Sequence, residues 1–207
     1  TVAGLVAAAL ADEPWIGERL DAGHGLIPIR RPYARLTAPG LALVGDAACQ
    51  VFPAHGSGIG IGLVASTMLA EAVADAADPG GEAALWRYQV GFHLEHGADL
   101  AGYDAFRRMS TALGSAGVAR MLRAGLPGAA MVHAGLDQRW AEPSFGDLVT
   151  SARQLLGDPL LAARIAPWLA RAQTARAAAA RYPTDADLDA VARWDRRIDR
   201  LVGAHLA

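Results

Sequence analysis

The chain has 207 residues, enough for one generous domain or two small ones, and its 53% hydrophobic and 19% charged content excludes intrinsic disorder. A net charge of −2 and a pI near 6.3 exclude a strongly basic nucleic-acid binder, and all the cationic side chains are arginine. Cys49 is the single cysteine, which rules out an internal disulfide and a multi-cysteine metal site and fits a reducing, cytoplasmic setting.

Thr1 opens the chain inside an apolar, helix-like pattern that runs from Val2 to Leu10 without the basic leader of a signal peptide. A processed chain or a piece of a longer one is the expectation. Pro14 begins an irregular stretch. Leu26 to Arg30 (LIPIR) reads as a short strand, and Pro28 and Pro32 make it an edge strand, since proline cannot donate to a ladder. Pro39-Gly40 is a turn signal, and Leu41 to Val44 has the length of a second strand, ended by Gly45-Asp46.

From Ala47 to Ala70 there is no Asp, Glu, Lys or Arg, a run that approaches the ~20 apolar residues of a membrane span. Gln50, Pro53, His55, Gly56, Gly58, Gly60 and Gly62 interrupt it. The expectation is a buried loop followed by a buried helix from about Ile59 to Ala77, striped by Val64, Met68, Leu69, Ala72 and Val73 and stopped at Asp78-Pro79-Gly80. A longer helical stretch begins near Glu82 with Leu85, Tyr88 and Phe92 and continues past Gly97 with Leu100, Tyr103 and Phe106. Phe145 to Leu156 reads as a helix closed by Gly157. Asp158-Pro159 is an N-cap followed by proline at the first helical position, and Thr184 with Asp187 resembles a capping box ahead of Leu188, Val191, Ile198 and Leu201. The fold class is therefore mainly α with a few short strands. Two strands make no independent sheet, so their neighbours are expected from another segment or another chain.

The residues that carry chemistry lie between Leu41 and Gly62. A strand brings Gly45-Asp46 to its carboxyl end, where open α/β sheets bind ligands. There Asp46 is an anionic acceptor for ligand hydroxyls. Pro53-Ala54-His55-Gly56-Ser57-Gly58 follows as a loop whose glycines admit a flat ligand to the backbone, and it feeds a helix whose first turn offers free N–H groups to electron-rich atoms. A ribityl chain joined to an isoalloxazine ring has that form.

The segment LALVGDAACQVFPAHGSGIGIGLVAS resembles the second FAD motif, the Gly-Asp box, of the flavoprotein group that includes aromatic hydroxylases and geranylgeranyl reductases. The approach IPIRRPY (Ile27 to Tyr33), Cys49 where hydroxylases commonly carry histidine, and LGSAGVARMLRAGL (Leu113 to Leu126) favour the reductase branch; the resemblance runs from about Gly25 to Leu126. It implies the C-terminal part of an FAD/NAD(P)-binding α/β (Rossmann-type) flavoprotein followed by a helical tail, with residues 1–78 the C-terminal segment of the FAD-binding domain and 79–207 the helical region.

By the same resemblance, Asp46 holds the ribityl hydroxyls with Gly45 and Ala47 packed against the chain. Pro53 lies near the flavin edge, and Gly56, Ser57, Gly58 and Ile59 offer backbone to the pyrimidine side. The group's N-terminal G-x-G-x-x-G is absent. Gly60, Gly62 and Ala65 spell G-x-G-x-x-A but fall inside a helix, where the spacing has no phosphate to meet. The expected partner is a missing N-terminal FAD-binding half or a separate chain.

The implied reaction is reduction of polyprenyl C=C bonds by hydride from reduced flavin, with a nicotinamide cofactor such as NAD(P)H or another donor as reductant. The alternatives are a hydroxylase-type monooxygenase and a non-catalytic helical remnant that retains the box. An apolar isoprenoid substrate adds peripheral membrane association to the expectations. No catalytic residue is named. Cys49 reads as a small buried residue, and His55 as either a flavin or substrate contact or a solvated loop residue. His93 and His96 read as a polar helix face, with no metal site. Arg30 and Arg31 suit either a phosphate or lipid head group or the guarded edge of a sheet. Arg193, Arg196, Arg197 and Arg200, interleaved with Asp195 and Asp199, read as a salt-bridged solvent face, and Trp140, Trp168 and Trp194 as helix-packing residues.

Overall fold

The computed structural model describes residues 2–18, 20–21, 23, 25–142 and 144–203, so Thr1 lies outside the described residues. Helix α1, Val2–Ala11, forms where the apolar pattern begins, with Leu5 and Val6 exposed. LIPIR does not form a strand. Its two prolines remove donors, Ile29 N–H bonds back to the Ile27 carbonyl in a tight turn (2.8 Å), and Leu26 and Ile27 stand exposed. The second expected strand contracts to β2, Leu41–Ala42, paired antiparallel with β1, Thr37–Ala38, around Pro39-Gly40. This hairpin is the one sheet among the described residues.

The remainder is helical: α2 (Ile59–Ala74), α3 (Glu82–Phe92), α4 (Ala98–Arg123), α5 (Ala129–Leu136), α6 (Phe145–Leu156), α7 (Pro159–Ala179) and α8 (Leu188–Val202). A π-turn at His93–Gly97 joins α3 to α4, and Gly114 breaks the regular backbone of α4. Helix α2 starts at the expected Ile59 but is not a buried helix. Ile61 and Ala65 face the core while Ile59, Leu63 and Val64 are exposed.

Capping explains several boundaries. Ser144 and Asp147 form a reciprocal capping box at α6, and Asp158 caps α7 with Pro159 at its first position. At α8 the expected Thr184–Asp187 box gives way to Asp187 as the N-cap itself, its carboxylate accepting from the Asp189 and Ala190 N–H groups. Thr184 instead offers its carbonyl to the Trp86 indole N–H.

Among the described residues three clusters fill the interior. Leu36, Ala48, Phe52, Ile61 and Ala65 pack with Tyr88, Phe92, Leu100 and Tyr103. A second cluster sets Ala101 and Ala105 of α4 against the alanines of α7 and Val191, Trp194 and Ile198 of α8. The third, at the distal end, holds Met109 and Leu113 with Leu161 and Ile165. Trp140 stacks on Phe106, Trp194 packs edge-on to Tyr182, and Trp168 lies in the distal cluster, as expected of packing residues.

Charged residues correct the sequence reading. Arg31 guards no sheet edge. Its side chain is 2% exposed and donates to Asp195 (2.5 Å) and Asp199 (2.7 Å) on α8. These two aspartates therefore face inward, and the solvent face of α8 is less completely salt-bridged than its alternating charges suggested. A guanidinium with two carboxylates can be sequestered because the charges compensate each other. The Tyr182 hydroxyl donates to the Ala34 carbonyl (2.8 Å), and the Gln89 side-chain oxygen accepts from the N–H groups of Leu36 (2.6 Å) and Thr37 (3.1 Å). Residues 31–37, the approach to the Gly-Asp turn, are thus fastened to α3, to α8 and to the connection between α7 and α8.

Candidate functional site

Val44 enters in extended conformation, and Gly45 turns the chain with φ +63°, a value glycine adopts without strain. Gly45–Ala48 then makes one 3-10 turn, closed by Cys49 in the left-handed region. Cys49 N–H donates to the Asp46 carbonyl (3.0 Å) and Gln50 N–H to the Gly45 carbonyl (2.9 Å). Behind the turn, buried Gln50 accepts from Gly45 N–H through its side-chain oxygen (2.7 Å). Its amide donates to the Tyr88 hydroxyl (2.9 Å), which donates in turn to the Leu43 carbonyl (2.9 Å). This chain fixes both ends of the turn and leaves Asp46 and Ala47 facing outward, exposed.

The glycine-rich loop closes on itself. Phe52 N–H donates to the Ser57 carbonyl and Gly56 N–H to the Phe52 carbonyl, both at 2.9 Å. Pro53 is buried; Gly56, Ser57 and Gly58 are half-buried, and Ile59 is exposed. The loop returns to the Gly-Asp turn. A Cβ on Gly58 would lie 2.8 Å from Asp46 Oδ1 and 3.3 Å from Val51 Cγ2, and a Cβ on Gly62 would lie 3.6 Å from the Gly45 Cα. Glycine at 58 is thus what allows the Asp46 carboxylate to rest against the start of α2. Gly58 is also the N-cap of α2 and supplies no side-chain bond to it, and the first turn of the helix contains no acid.

His55 is exposed in the loop but held at both ring nitrogens. Its Nε2 lies 3.0 Å from the Gly135 carbonyl at the end of α5, its Nδ1 accepts from Ser57 N–H, and its ring stacks on Phe52. Next to Gly135, Gln138 adopts φ +55° and lays its carboxamide beside Gly60 in the first turn of α2. Neither Gln138 nor α5 carries a sequence signal for this site.

On the far side of the turn, burial pushes the Cys49 thiol up, opposed by a hydrogen bond with Tyr33 and the nearby Arg30. Arg30 lies over the Tyr33 ring. Cys49 is thus the small buried residue expected. His93 is not on a polar face. It is buried, stacked on Tyr182 with ring centroids 4.2 Å apart and edge-on to Trp194, and desolvation lowers its pKa to about 3. His96 is half-buried, its pKa lowered by burial. No grouping of metal-ligating side chains occurs among the described residues. A groove of about 390 Å³ lies between Tyr33–Arg35, Leu43 and Leu188, Val191, Ala192 and Asp195, apart from the Asp46–Gly58 face.

The structure therefore gathers Gly45, Asp46, Ala47, Pro53, Gly56, Ser57, Gly58 and Ile59 into one turn–loop–helix start, in which the Asp46 carboxylate stands where a side chain on residue 58 would go. Gln50 and Tyr88, which hold the turn, and Gln89 and Arg31, which hold the segment leading to it, carried no signal in the sequence for these roles.

No family model matches the chain. Among curated proteins it is similar to a digeranylgeranylglycerophospholipid reductase of Sulfolobus acidocaldarius, 34% identical over 88 residues that make up 42% of this chain and 20% of that protein. It is also similar to digeranylgeranylglycerophospholipid reductase 2 of Methanothermobacter thermautotrophicus, 31% identical over 108 residues, 51% of this chain and 28% of that protein. The matches thus cover between a fifth and three tenths of each relative. Among the described residues no helix is long and apolar enough to cross a membrane.

Proposed function

We propose that Gly45 to Ile59 hold the ribityl chain and pyrimidine edge of FAD, as part of a flavin-dependent reductase acting on the C=C bonds of an isoprenoid lipid. The contact between Asp46 and Gly58 carries this reading: an exposed carboxylate set against a glycine that leaves room for it, at the uncapped start of a helix. Similarity to two reductases named for a digeranylgeranyl lipid supports the substrate class.

The residues present fit the cofactor. Asp46 accepts hydrogen bonds from vicinal hydroxyls, each charge-assisted bond contributing ~1.5–3 kcal/mol. Backbone from Gly56 to Ile59 and the positive end of α2 favour negative charge on the ring that faces them, which eases its reduction. Bound there, FAD supplies the hydride for an isolated double bond, replenished by a nicotinamide cofactor or another donor. His55 positions the loop through Gly135 and Ser57. In this reading residues 1–78 carry the flavin contacts and 79–207 the helical tail. On the same reading the dinucleotide end and its Rossmann-type sheet come from a further segment or chain, since the described residues form one two-stranded sheet and its glycine-rich exit into α2 faces the ribityl end.

Flavin titration of the 207-residue chain tests this. Quenching of FAD fluorescence is expected, with affinity about tenfold weaker or worse for Asp46→Asn. A similar loss is expected for Gly58→Ala, whose methyl displaces the carboxylate. Equal binding by the wild-type chain and Asp46→Asn would overturn the assignment.

A further inference from the structure

Helix α6 is an amphipathic helix turned the wrong way round for a soluble bundle. Phe145, Leu148, Val149, Ala152, Leu155 and Leu156 fall on one face at helical spacing, yet no residue of the helix is buried. Phe145 is 82% exposed, Leu156 78% and Leu148 54%, while only Val149 and Leu155 are partly covered. The helix touches the bundle along its flank: Leu155 joins the distal cluster, and the Gln154 side chain lies against Gly125 at the end of α4. Leu160, at the start of α7, and Leu122, in the last turns of α4, are also exposed, so the distal end presents several large apolar side chains to water.

The charges around this end are unequal in their partners. Asp147 is engaged in its capping box with Ser144, and Asp158 is paired with Arg120. Arg153 is exposed, and so are Arg123 and Arg164, which donate to the Ala119 carbonyl and to the Ala112 and Leu113 carbonyls; none of the three has an acidic partner among the described residues. Glu142 and Asp147, which its cap keeps ionised, are the acids without a cationic partner there. Arg120, Arg123, Arg153 and Arg164 stand against Glu142, Asp147 and Asp158, so this end carries one net positive charge although the chain as a whole carries −2. Phenylalanine and leucine on one face, with exposed arginines at the same end of the molecule, suit a helix that lies in the plane of an anionic lipid interface.

We propose that α6, with the adjoining ends of α4 and α7, is a docking surface for an anionic phospholipid bilayer. Phe145, Leu148 and Leu156 enter the acyl boundary while Arg123, Arg153 and Arg164 meet the head-group phosphates. The proposal is independent of the flavin reading, because it rests on a different end of the molecule and is read in a different assay.

The test is co-sedimentation of the 207-residue chain with vesicles of phosphatidylglycerol and phosphatidylcholine, and with phosphatidylcholine alone. Stronger binding to the anionic vesicles is expected, weakening as salt rises. Leu148→Asp/Leu156→Asp should reduce partitioning by about tenfold or more, since each replaces a side chain whose burial is worth a decade or so in affinity. Arg123→Gln/Arg153→Gln should remove the preference for anionic lipid. Leu5→Asp, on the exposed α1, should leave binding unchanged. Because all these side chains are exposed, circular dichroism should show every variant folded. No sedimentation, equal loss with Leu5→Asp, or a vesicle-free dimer that Leu148→Asp/Leu156→Asp dissociates would each overturn the proposal, the last by making a second copy of the chain the occupant.

Discussion

Gly45–Ala48 is held from behind by Gln50 and by Tyr88 of α3, and the segment that leads to it by Gln89 of α3, Tyr182 beyond α7 and Arg31 bonded to α8. The distal lobe of α6 and the start of α7 is instead organised by neighbours, with a cap three residues from its partner, a proline at the first helical position and a small cluster of aliphatic side chains. A turn that must present an exposed carboxylate in one orientation needs donors and acceptors at fixed points, and only directional bonds provide them. A lobe that needs only to exist can rely on local caps and apolar burial. Substitutions should therefore act through the whole fold at the first region and locally at the second.

The largest effect should come from Arg31. Arg31→Met leaves Asp195 and Asp199 facing an apolar neighbour, and both are only about a third exposed. Breaking a buried pair by removing one partner costs about 3 kcal/mol, and urea unfolding should read a loss of that order. Asp195→Asn/Asp199→Asn in the same background should recover part of it, whereas a loss of well under 1 kcal/mol would show that the approach to the turn does not depend on α8.

Gln50→Leu should follow, at about 2 kcal/mol, because the Gly45 N–H and the Tyr88 hydroxyl both lose a buried partner. If the buried chain positions Asp46, this variant should also weaken FAD although residue 50 faces away from the ligand. Full FAD affinity in a destabilised Gln50→Leu chain would separate the turn's stability from its geometry.

Acid should reveal the next contribution. His93 is held neutral by burial, its pKa lowered to about 3, while the unfolded chain binds its proton near the ordinary value of about 6.5. Between those limits the unfolded state carries the extra proton, so stability falls as pH falls, by up to about 1.4 kcal/mol per pH unit from this group. Above that window the histidine contributes no pH dependence. Unfolding of wild type and His93→Phe followed from neutral pH down to about pH 4 should give a shallower slope for the variant, and identical slopes would place the acid sensitivity elsewhere.

These sites were the ones hardest to see in the sequence. Helix boundaries were legible where a local signal sets them: Glu82, Phe145, Asp158-Pro159 and Ile59 all fall where apolar spacing and caps put them. The candidate site was legible as a run of residues, because Gly45-Asp46 and the glycines after Pro53 lie close together in the chain. What held it was not. Gln50, Gln89, Arg31 and His93 are polar, and a polar residue beside a helical or strand pattern reads as surface unless its partner is known. Those partners lie 38 to 168 residues away in the bonds of Gln50 to Tyr88 and Arg31 to Asp199. LIPIR shows the converse error. Its alternating apolar side chains suggest a strand, but no neighbouring strand stands beside it among the described residues, and an unpaired strand has no ladder to satisfy.

The smallest effect belongs to the lobe. Ser144 accepts from Asp147 N–H through its hydroxyl, and the Asp147 carboxylate accepts from Ser144 N–H in return, an arrangement that holds this carboxyl below its ordinary range. Ser144→Ala removes one half of the box and should cost about 1 kcal/mol. Helix α6 buries none of its residues, so little packing compensates for the lost cap, and its first turn should fray before the rest of the chain unfolds. Hydrogen exchange should therefore show faster exchange confined to the start of α6, with the amides of Gly45, Gln50 and Phe52 as protected as in wild type. Faster exchange in both places would mean that the lobe and the turn belong to one cooperative unit, and the contrast between distant polar anchoring and local capping would then describe where the bonds lie without describing how the molecule opens.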